Sequence, residues 1–271
     1  MRDICVKNLT CSYEQKTIFD NFDVTFEQGK INVILGGSGV GKTTLLNAIA
    51  GIKSYEGQIE GCEGGVSYIF QKDRLIPSIS VYKNLDLVLK AVVKDKRVRK
   101  ETIESTAEAL EISDVLNSLP SEISGGQAQR ASMARAFLFP SDVLLLDEPF
   151  KALDTSLKAR LINKFVALQR QSKKTVVFVT HAIDECLLCA DNYFVFAANP
   201  VEVVLKGCIV VGNVDHWLKL NAFQRISNDF LYALHHEPAV AECKVDAVFH
   251  LVPVCPELSC PMRKERQANF W

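Results

Sequence analysis

Apolar and polar positions change period several times along the chain, and the changes mark its elements. Over residues 4–35 the pattern is that of short strands. ICVKNLTCSY (4–13) alternates in part, FDVTFEQGK (22–30) alternates and ends in a turn at Gly29, and INVILGG (31–37) is a continuous apolar run. Such a run suits a strand buried on both faces of a parallel sheet. KTTLLNAIAG (42–51) has helical spacing and stops at Gly51, a residue that readily ends a helix. Two more short strands are expected between 57 and 70, the second ending in SYIFQ. From about 75 to 137 the period is helical, in SVYKNLDLVLKAVV, RVRKETIESTAEALEI and GGQAQRASMARAFLF. Strand signals return in DVLLLDEP and KTVVFVTH, separated by the helical TSLKARLINKFVALQRQ. That strand–helix–strand alternation predicts a largely parallel sheet. NYFVFAANP and VEVVLKGCIVV add two strands, and DHWLKLNAFQRISNDFLYALHH reads as a helix. From Glu237 onward, prolines at 238, 253, 256 and 261 predict a loosely structured end.

Composition narrows the class without changing this picture. The chain has 271 residues, 48% hydrophobic and 23% charged, with a formal net charge of −1. That length suits one large domain, or one domain with an insertion and a tail. So small a charge gives no global pull toward nucleic acid or acidic lipid. No apolar run approaches the ~18–20 residues that span a bilayer, and MRDICVKNLT lacks the apolar centre of a signal peptide. A soluble chain that stays where it is made is expected. Nine cysteines in such a chain fit reduced thiols in a cytosol. Cys186 and Cys189 have a spacing that can bind zinc or act as a redox pair. No second pair lies near them, so plain helix packing is expected. Cys243, Cys255 and Cys260 could join in a metal cluster, but their spacing is irregular and no fourth ligand is evident, so none is expected. KDKRVRKE (94–101) is basic but holds no aromatics, which fits a solvated helix start and not a nucleic-acid patch.

Chemistry first becomes specific at Gly36-Gly37-Ser38-Gly39-Val40-Gly41-Lys42-Thr43, followed by Thr44. The run fits G-x-x-x-x-G-K-[ST], and it follows a buried-strand pattern and opens a helix. Glycines let successive backbone N–H groups turn toward phosphate oxygens, and the helix N-terminus adds partial positive charge. Lys42 is placed to reach the outer phosphates and Thr43 to hold Mg²⁺. VLLLDEP then ends an apolar strand with Asp147 and Glu148. Carboxylates at the carboxyl end of a parallel strand stand where ligands bind. Asp147 suits Mg²⁺, and Glu148 suits the general base that polarises an attacking water.

Ser124-Gly125-Gly126-Gln127, at the start of a helix, is a second phosphate cradle. It follows the helical stretch and precedes VLLLDEP by about twenty residues. Here the chain resembles the ATP-binding cassette (ABC) ATPases, whose LSGGQ signature stands as ISGGQ, with Ile123 for leucine. The resemblance covers residues 1 to about 212. It implies an α/β fold: a P-loop NTPase core with a mostly parallel sheet, an N-terminal antiparallel β subdomain and a helical subdomain inserted at about 75–137. A C-terminal helix and tail, 213–271, carry no assigned role. In that family two subunits meet head to tail, and each signature loop caps the ATP held by the other. One cradle would then serve the chain's own nucleotide and the other its partner's.

Further residues follow from the same resemblance. Tyr13 matches the aromatic that stacks on adenine, Gln71 the glutamine that contacts Mg²⁺ and water, and His181 the switch histidine facing the γ-phosphate. Asp154, in KALD, matches the loop that crosses the dimer interface, where the family often has serine in place of Lys151. The resemblance implies ATP and Mg²⁺, a second cassette (by default another copy), membrane permease subunits docked near Gln71 to Leu85, and indirectly an external solute-binding protein. It places the chain peripherally at the cytoplasmic face of the membrane. FQKDRLIP and LLLDEPFKALD look most like bacterial importers of nitrate, sulfonate, taurine or thiamine precursors. One alternative is a soluble ABC ATPase acting on nucleic acid or ribosomes. Another, a P-loop kinase or switch GTPase, leaves SGGQAQR and His181 without a role.

Overall fold

The computed structural model describes residues 2–13, 16–151, 153, 155–197 and 200–209. The helix expected at 215–236, the tail and its three cysteines, and Asp154 lie outside the described residues.

Two sheets form. The first is antiparallel, in the order β2-β1-β4, from β1 (Ile4–Tyr13), β2 (Lys16–Phe26) and β4 (Glu56–Glu60). β2 begins six residues before the alternating FDVTFEQGK (Lys16 against Phe22), because KTIF also pairs with the end of β1. Irregular pairing masks the alternation. Asn8 and Asn21 sit at φ 49° and 52°, a region asparagine tolerates, and the β1–β2 register shifts around them.

The second sheet has six strands in the order β5-β6-β7-β3-β8-β9. These are β3 (Ile31–Gly36), β5 (Val66–Ile69), β6 (Val143–Asp147), β7 (Thr175–Thr180), β8 (Asn192–Ala197) and β9 (Glu202–Cys208). All pairs are parallel except β8–β9. Every residue of β3, β6 and β7 is buried, as their unbroken apolar runs require. Successive residues feed two separate cores. Ile31, Val33, Leu35, Leu144, Leu146, Val176 and Phe178 pack on one face, with Phe150, Phe165 and the helices that follow β5. Ile34, Leu145, Val177 and Val179 pack on the other, against α1 (Lys42–Ile49) and the aromatic side chains of β2.

Between β5 and β6 lie α2 (Val81–Leu89), α3 (Lys96–Ala109) and α4 (Gly125–Leu138). Ser80 and Asp95 cap the first two through backbone N–H groups of the first turn. The basic stretch 94–101 is thus a capped helix start, with Arg97 paired to Glu101 one turn on. Arg99 departs from that picture: it is buried, bonded to Asp86 at 2.6 Å and to the carbonyls of Val93 and Lys94. After β6 come α5 (Thr155–Ser172) and, beyond β7, α6 (Ile183–Cys189). Glu111, at φ 55°, closes the end of α3 and takes Arg160 and Lys164 of α5 at 2.8 and 2.7 Å. It ties the helical segment to the sheet layer.

Cys186 and Cys189 pack inside α6 as expected. Both are buried, burial pushes both thiols up, and Cys189 Sγ donates to the Glu185 carbonyl. Among the described residues no group of three or more His, Cys, Asp or Glu is arranged to hold a metal ion. None of the described helices is long and apolar enough to cross a membrane.

One buried cation stands apart. Lys174 donates to the Phe139 carbonyl at 2.6 Å and to the Ser141 hydroxyl at 3.0 Å. Burial lowers its pKa to about 8. An unfolded lysine holds its proton to about pH 10.4, so between those values the unfolded chain binds more protons and stability rises with pH. Wild type is expected to gain about 2 kcal/mol over Lys174→Met between about pH 7.5 and pH 10. Urea midpoints of both chains at each pH test this; parallel pH profiles would refute it.

Candidate functional site

β3 ends at Gly36, and residues 37–41 turn the chain into α1. The turn is closed and crowded. A Cβ on Gly36 would stand 2.7 Å from the Phe196 carbonyl oxygen. Gly41 has φ 116°, and a Cβ there would stand 2.7 Å from Ile18 and 3.0 Å from Val201. Gly39 has φ 78° but faces open space. Ser38 and Gly39 are exposed at the tip, and Val40 N–H donates to the Gly37 carbonyl. Gly41 is the N-cap residue of α1 and brings no side-chain cap. The first-turn N–H groups are therefore left for a ligand. Thr44 is buried in α1.

Lys42 follows at once. It is buried, and its ammonium donates to the carbonyls of Gly36 and Gly37, both at 2.8 Å. Burial lowers its pKa, and Glu148 and Asp147 hold it up. Thr43 Oγ donates to Asp147 Oδ2 at 2.9 Å, joining the start of α1 to the end of β6. A hydroxyl and a carboxylate oxygen this close form a hard donor set that suits Mg²⁺. Burial raises the Asp147 pKa and the Thr43 bond opposes it.

Glu148, next in sequence, is the centre of the cluster. It holds φ 49°, rare for a residue with a Cβ, and its N–H donates to the Val179 carbonyl at 2.9 Å. The carboxylate meets Gln71 Nε2 at 3.2 Å, Lys151 Nζ at 2.7 Å and His181 Nδ1 at 2.9 Å. Burial pushes its pKa up, but the bonds from Lys151 and His181 prevail and hold it below the ordinary carboxylate value. His181 owes its place to a second carboxylate. Glu185, buried in α6, accepts from Thr180 Oγ at 2.7 Å and pairs with Lys158 at 3.1 Å, while Thr180 Oγ accepts the Ala182 N–H.

Lys42, Thr43, Gln71, Asp147, Glu148 and His181 thus converge although they come from four separate segments at the ends of β3, β5, β6 and β7. Two predicted groups stand elsewhere. Tyr13, at the end of β1, is exposed and carries Lys53 Nζ 4.1 Å from its ring centre. Ser124 and Gly125 lie at the exposed start of α4, where Ser124 and Gln127 bond each other in a capping box. Among the described residues, no hydrogen bond from Ser124–Gln127 reaches the loop of residues 36–44. Sequence reasoning missed two residues. Lys151 appeared only as a departure from a resembled pattern, and Glu185 did not figure at all. Their spacing from Glu148 and Thr180 was the signal available.

A family profile described as "ABC transporter" matches residues 19–151. The maltose/maltodextrin import ATP-binding protein MalK of Vibrio cholerae is 34% identical over 217 residues, covering 76% of this chain and 58% of that protein. The chain therefore spans little more than half the length of such relatives. The aliphatic sulfonates import ATP-binding protein SsuB of Bacillus thuringiensis is 36% identical over 194 residues, 69% of this chain and 76% of the relative. A dimeric ATP-binding cassette solved in a post-hydrolysis state with ADP and Pi superposes with a TM-score of 0.68 at 24% identity, covering 77% of this chain and all of that one. That likeness establishes the fold, with the mostly parallel sheet, antiparallel sheet and helical segment the sequence predicts.

The turn itself yields a test. Gly39→Ala meets only a backbone penalty and should cost about 1 kcal/mol. Gly41→Ala adds close contacts with Ile18 and Val201 and should cost about 3 kcal/mol or more. Urea denaturation of the two variants should rank them in that order; equal midpoints would mean that the crowding at Gly41 is not what holds the turn.

Proposed function

The chain belongs to the ABC transporter family, and from that premise we propose that it is the ATP-hydrolysing subunit of an ABC importer. The observation that carries the reading is the junction of Thr43, Asp147 and Glu148, with Gln71 and His181 on the same carboxylate. ATP is the substrate. The N–H groups of the 36–44 loop and the α1 start receive its β- and γ-phosphates, and Lys42 exchanges the Gly36 and Gly37 carbonyls for phosphate oxygens. Thr43 and Asp147, with the amide oxygen of Gln71, are the residues that would hold Mg²⁺. When bound, the ion neutralises charge developing on the transferred phosphoryl group. Glu148 accepts a proton from the attacking water, and its anionic state is secured by its neighbours. His181 holds the base and faces the γ-phosphate side.

Tyr13 offers a flat face to adenine, with Lys53 across its ring. Ser124, Gly125, Gly126 and Gln127 serve the nucleotide of a second copy, and Asp154 is assigned to the contact with that copy. We assign the cassette to residues 1–212, with the insertion at about 75–137, and leave the remaining 59 residues (213–271) without a role. Hydrolysis removes the γ-phosphate contacts that join the pair, a ligand-biased two-state opening. Permease subunits ride on it, docked over the segment from Gln71 to Leu85, where Arg74 lies over the Phe70 ring at 3.7 Å. The pair works peripherally at the cytoplasmic face of the membrane, with an external solute-binding protein as indirect partner. The relatives named for aliphatic sulfonates, matched over 76% of their length, support a small anionic solute of the nitrate, sulfonate or taurine type.

Glu148→Gln should lower hydrolysis by at least about a hundredfold, because the base is lost while the phosphate contacts remain. ATP binding should persist, and the variant should run as a stable dimer in ATP and Mg²⁺ on size exclusion. A variant that stays monomeric, or a wild-type rate per molecule unaffected by dilution, would overturn the reading.

A further inference from the structure

We propose that Lys151 is a positioning residue for the Glu148 carboxylate, leaving one acceptor site on it for the attacking water; this rests on the ATPase reading above. Lys151 Nζ donates to Glu148 Oε2 at 2.7 Å, and Gln71 Nε2 donates to the same oxygen at 3.2 Å. His181 Nδ1 lies 2.9 Å from Oε1. An ionised carboxylate offers roughly four lone-pair sites, two on each oxygen. The lysine and glutamine fill Oε2, and the histidine takes one site on Oε1. What remains is a single site on Oε1, beside the imidazole.

The tether is short and closed twice. Lys151 N–H donates to the Glu148 carbonyl at 3.3 Å, and the ion pair closes the same turn through the side chains. The Glu148 backbone is fixed by its bond to Val179, so only side-chain rotation could redirect the carboxylate. Lys151 opposes that rotation from the solvent side: its side chain is 54% exposed and that of Glu148 only 16%. An ion pair so open to water contributes little to stability. Its effect is geometric, on where the base points. A serine at this position brings no charge to Oε2.

Lys151→Met keeps an unbranched apolar stem and removes the donor, and Lys151→Gln is run beside it as a polar, uncharged form. Both should lower kcat for ATP about tenfold, while affinity for a fluorescent ATP analogue stays within about twofold. Lys151→Arg should recover kcat to within about threefold of wild type. On size exclusion in ATP and Mg²⁺, the Lys151→Met dimer should outlast that of wild type. In a Glu148→Gln background, Lys151→Met should cause no further loss, since it acts only through the missing base. Wild-type kcat in Lys151→Met and Lys151→Gln, an equal fall in Lys151→Arg, or a further loss in the Glu148→Gln background overturns the inference. Wild type that turns over with these variants unaffected overturns it alone; wild type with no turnover overturns the ATPase reading and the inference together.

Discussion

The parallel register of β6, β7 and β3 is the constraint on which the site depends. Leu35 pairs with Thr180, and Asp147 pairs with Val179. Three strands therefore end on one line, and the residues just beyond them share one edge of the sheet. Gly36 lies more than a hundred residues from both Asp147 and His181 in sequence, yet the register leaves no freedom in their relative height. A slip of one residue in β6 would turn Asp147 into the opposite face and exchange the two cores. Because Leu144 and Leu146 pack in one core and Val143 and Leu145 in the other, burial resists that slip on both faces. Packing specifies the chemistry here without touching it.

Register alone does not aim Glu148. It lies one residue beyond the strand, where a regular continuation would reverse its direction. The positive φ at Glu148 and its N–H bond to Val179 turn the chain, and Gln71, Lys151 and His181 then meet the redirected carboxylate. Strain of this kind costs on the order of 1–3 kcal/mol and is tolerated where the surroundings fix it. The surroundings here are two buried strands and an ion-paired turn. The same logic holds at the other strand end, where Glu185 and Thr180 set the turn that carries His181.

Much of this was legible in the sequence because the strongest signals are physical necessities. An apolar run with no polar break, as in INVILGG or VLLLDEP, has few fates other than a strand covered on both faces, and glycines before a lysine at a helix start announce a turn with exposed N–H groups. Less legible were features that depend on who sits across space. The first part of β2 escaped because its pairing shifts register near Asn21 and its buried and exposed residues come in twos there, Ile18 and Phe19 and then Asp20 and Asn21. Arg99 read as one charge among several in a basic run, and only the fold brings Asp86 and two carbonyls to it. Lys151 was visible, but its bond to Glu148 depends on a left-handed residue that no propensity predicts.

The two helix starts that carry phosphate-cradle sequences differ in one respect, and the difference bears on their roles. α1 begins at Gly41 with no side-chain cap, so its first N–H groups have no local substitute for a ligand. α4 begins at Ser124, whose hydroxyl accepts the Gln127 N–H while Gln127 Oε1 accepts from the Ser124 N–H. A start that is already satisfied costs nothing to leave in water, and Ser124 and Gly125 are exposed. To engage a phosphate, the Ser124 hydroxyl must turn its proton away from Gln127 Oε1, exchanging a bond worth about 1 kcal/mol for a charge-assisted one. That exchange is favourable only when an anion is brought to it. On the reading proposed above, the uncapped start takes the nucleotide held by the chain itself, and the self-capped start meets the one held by a second copy.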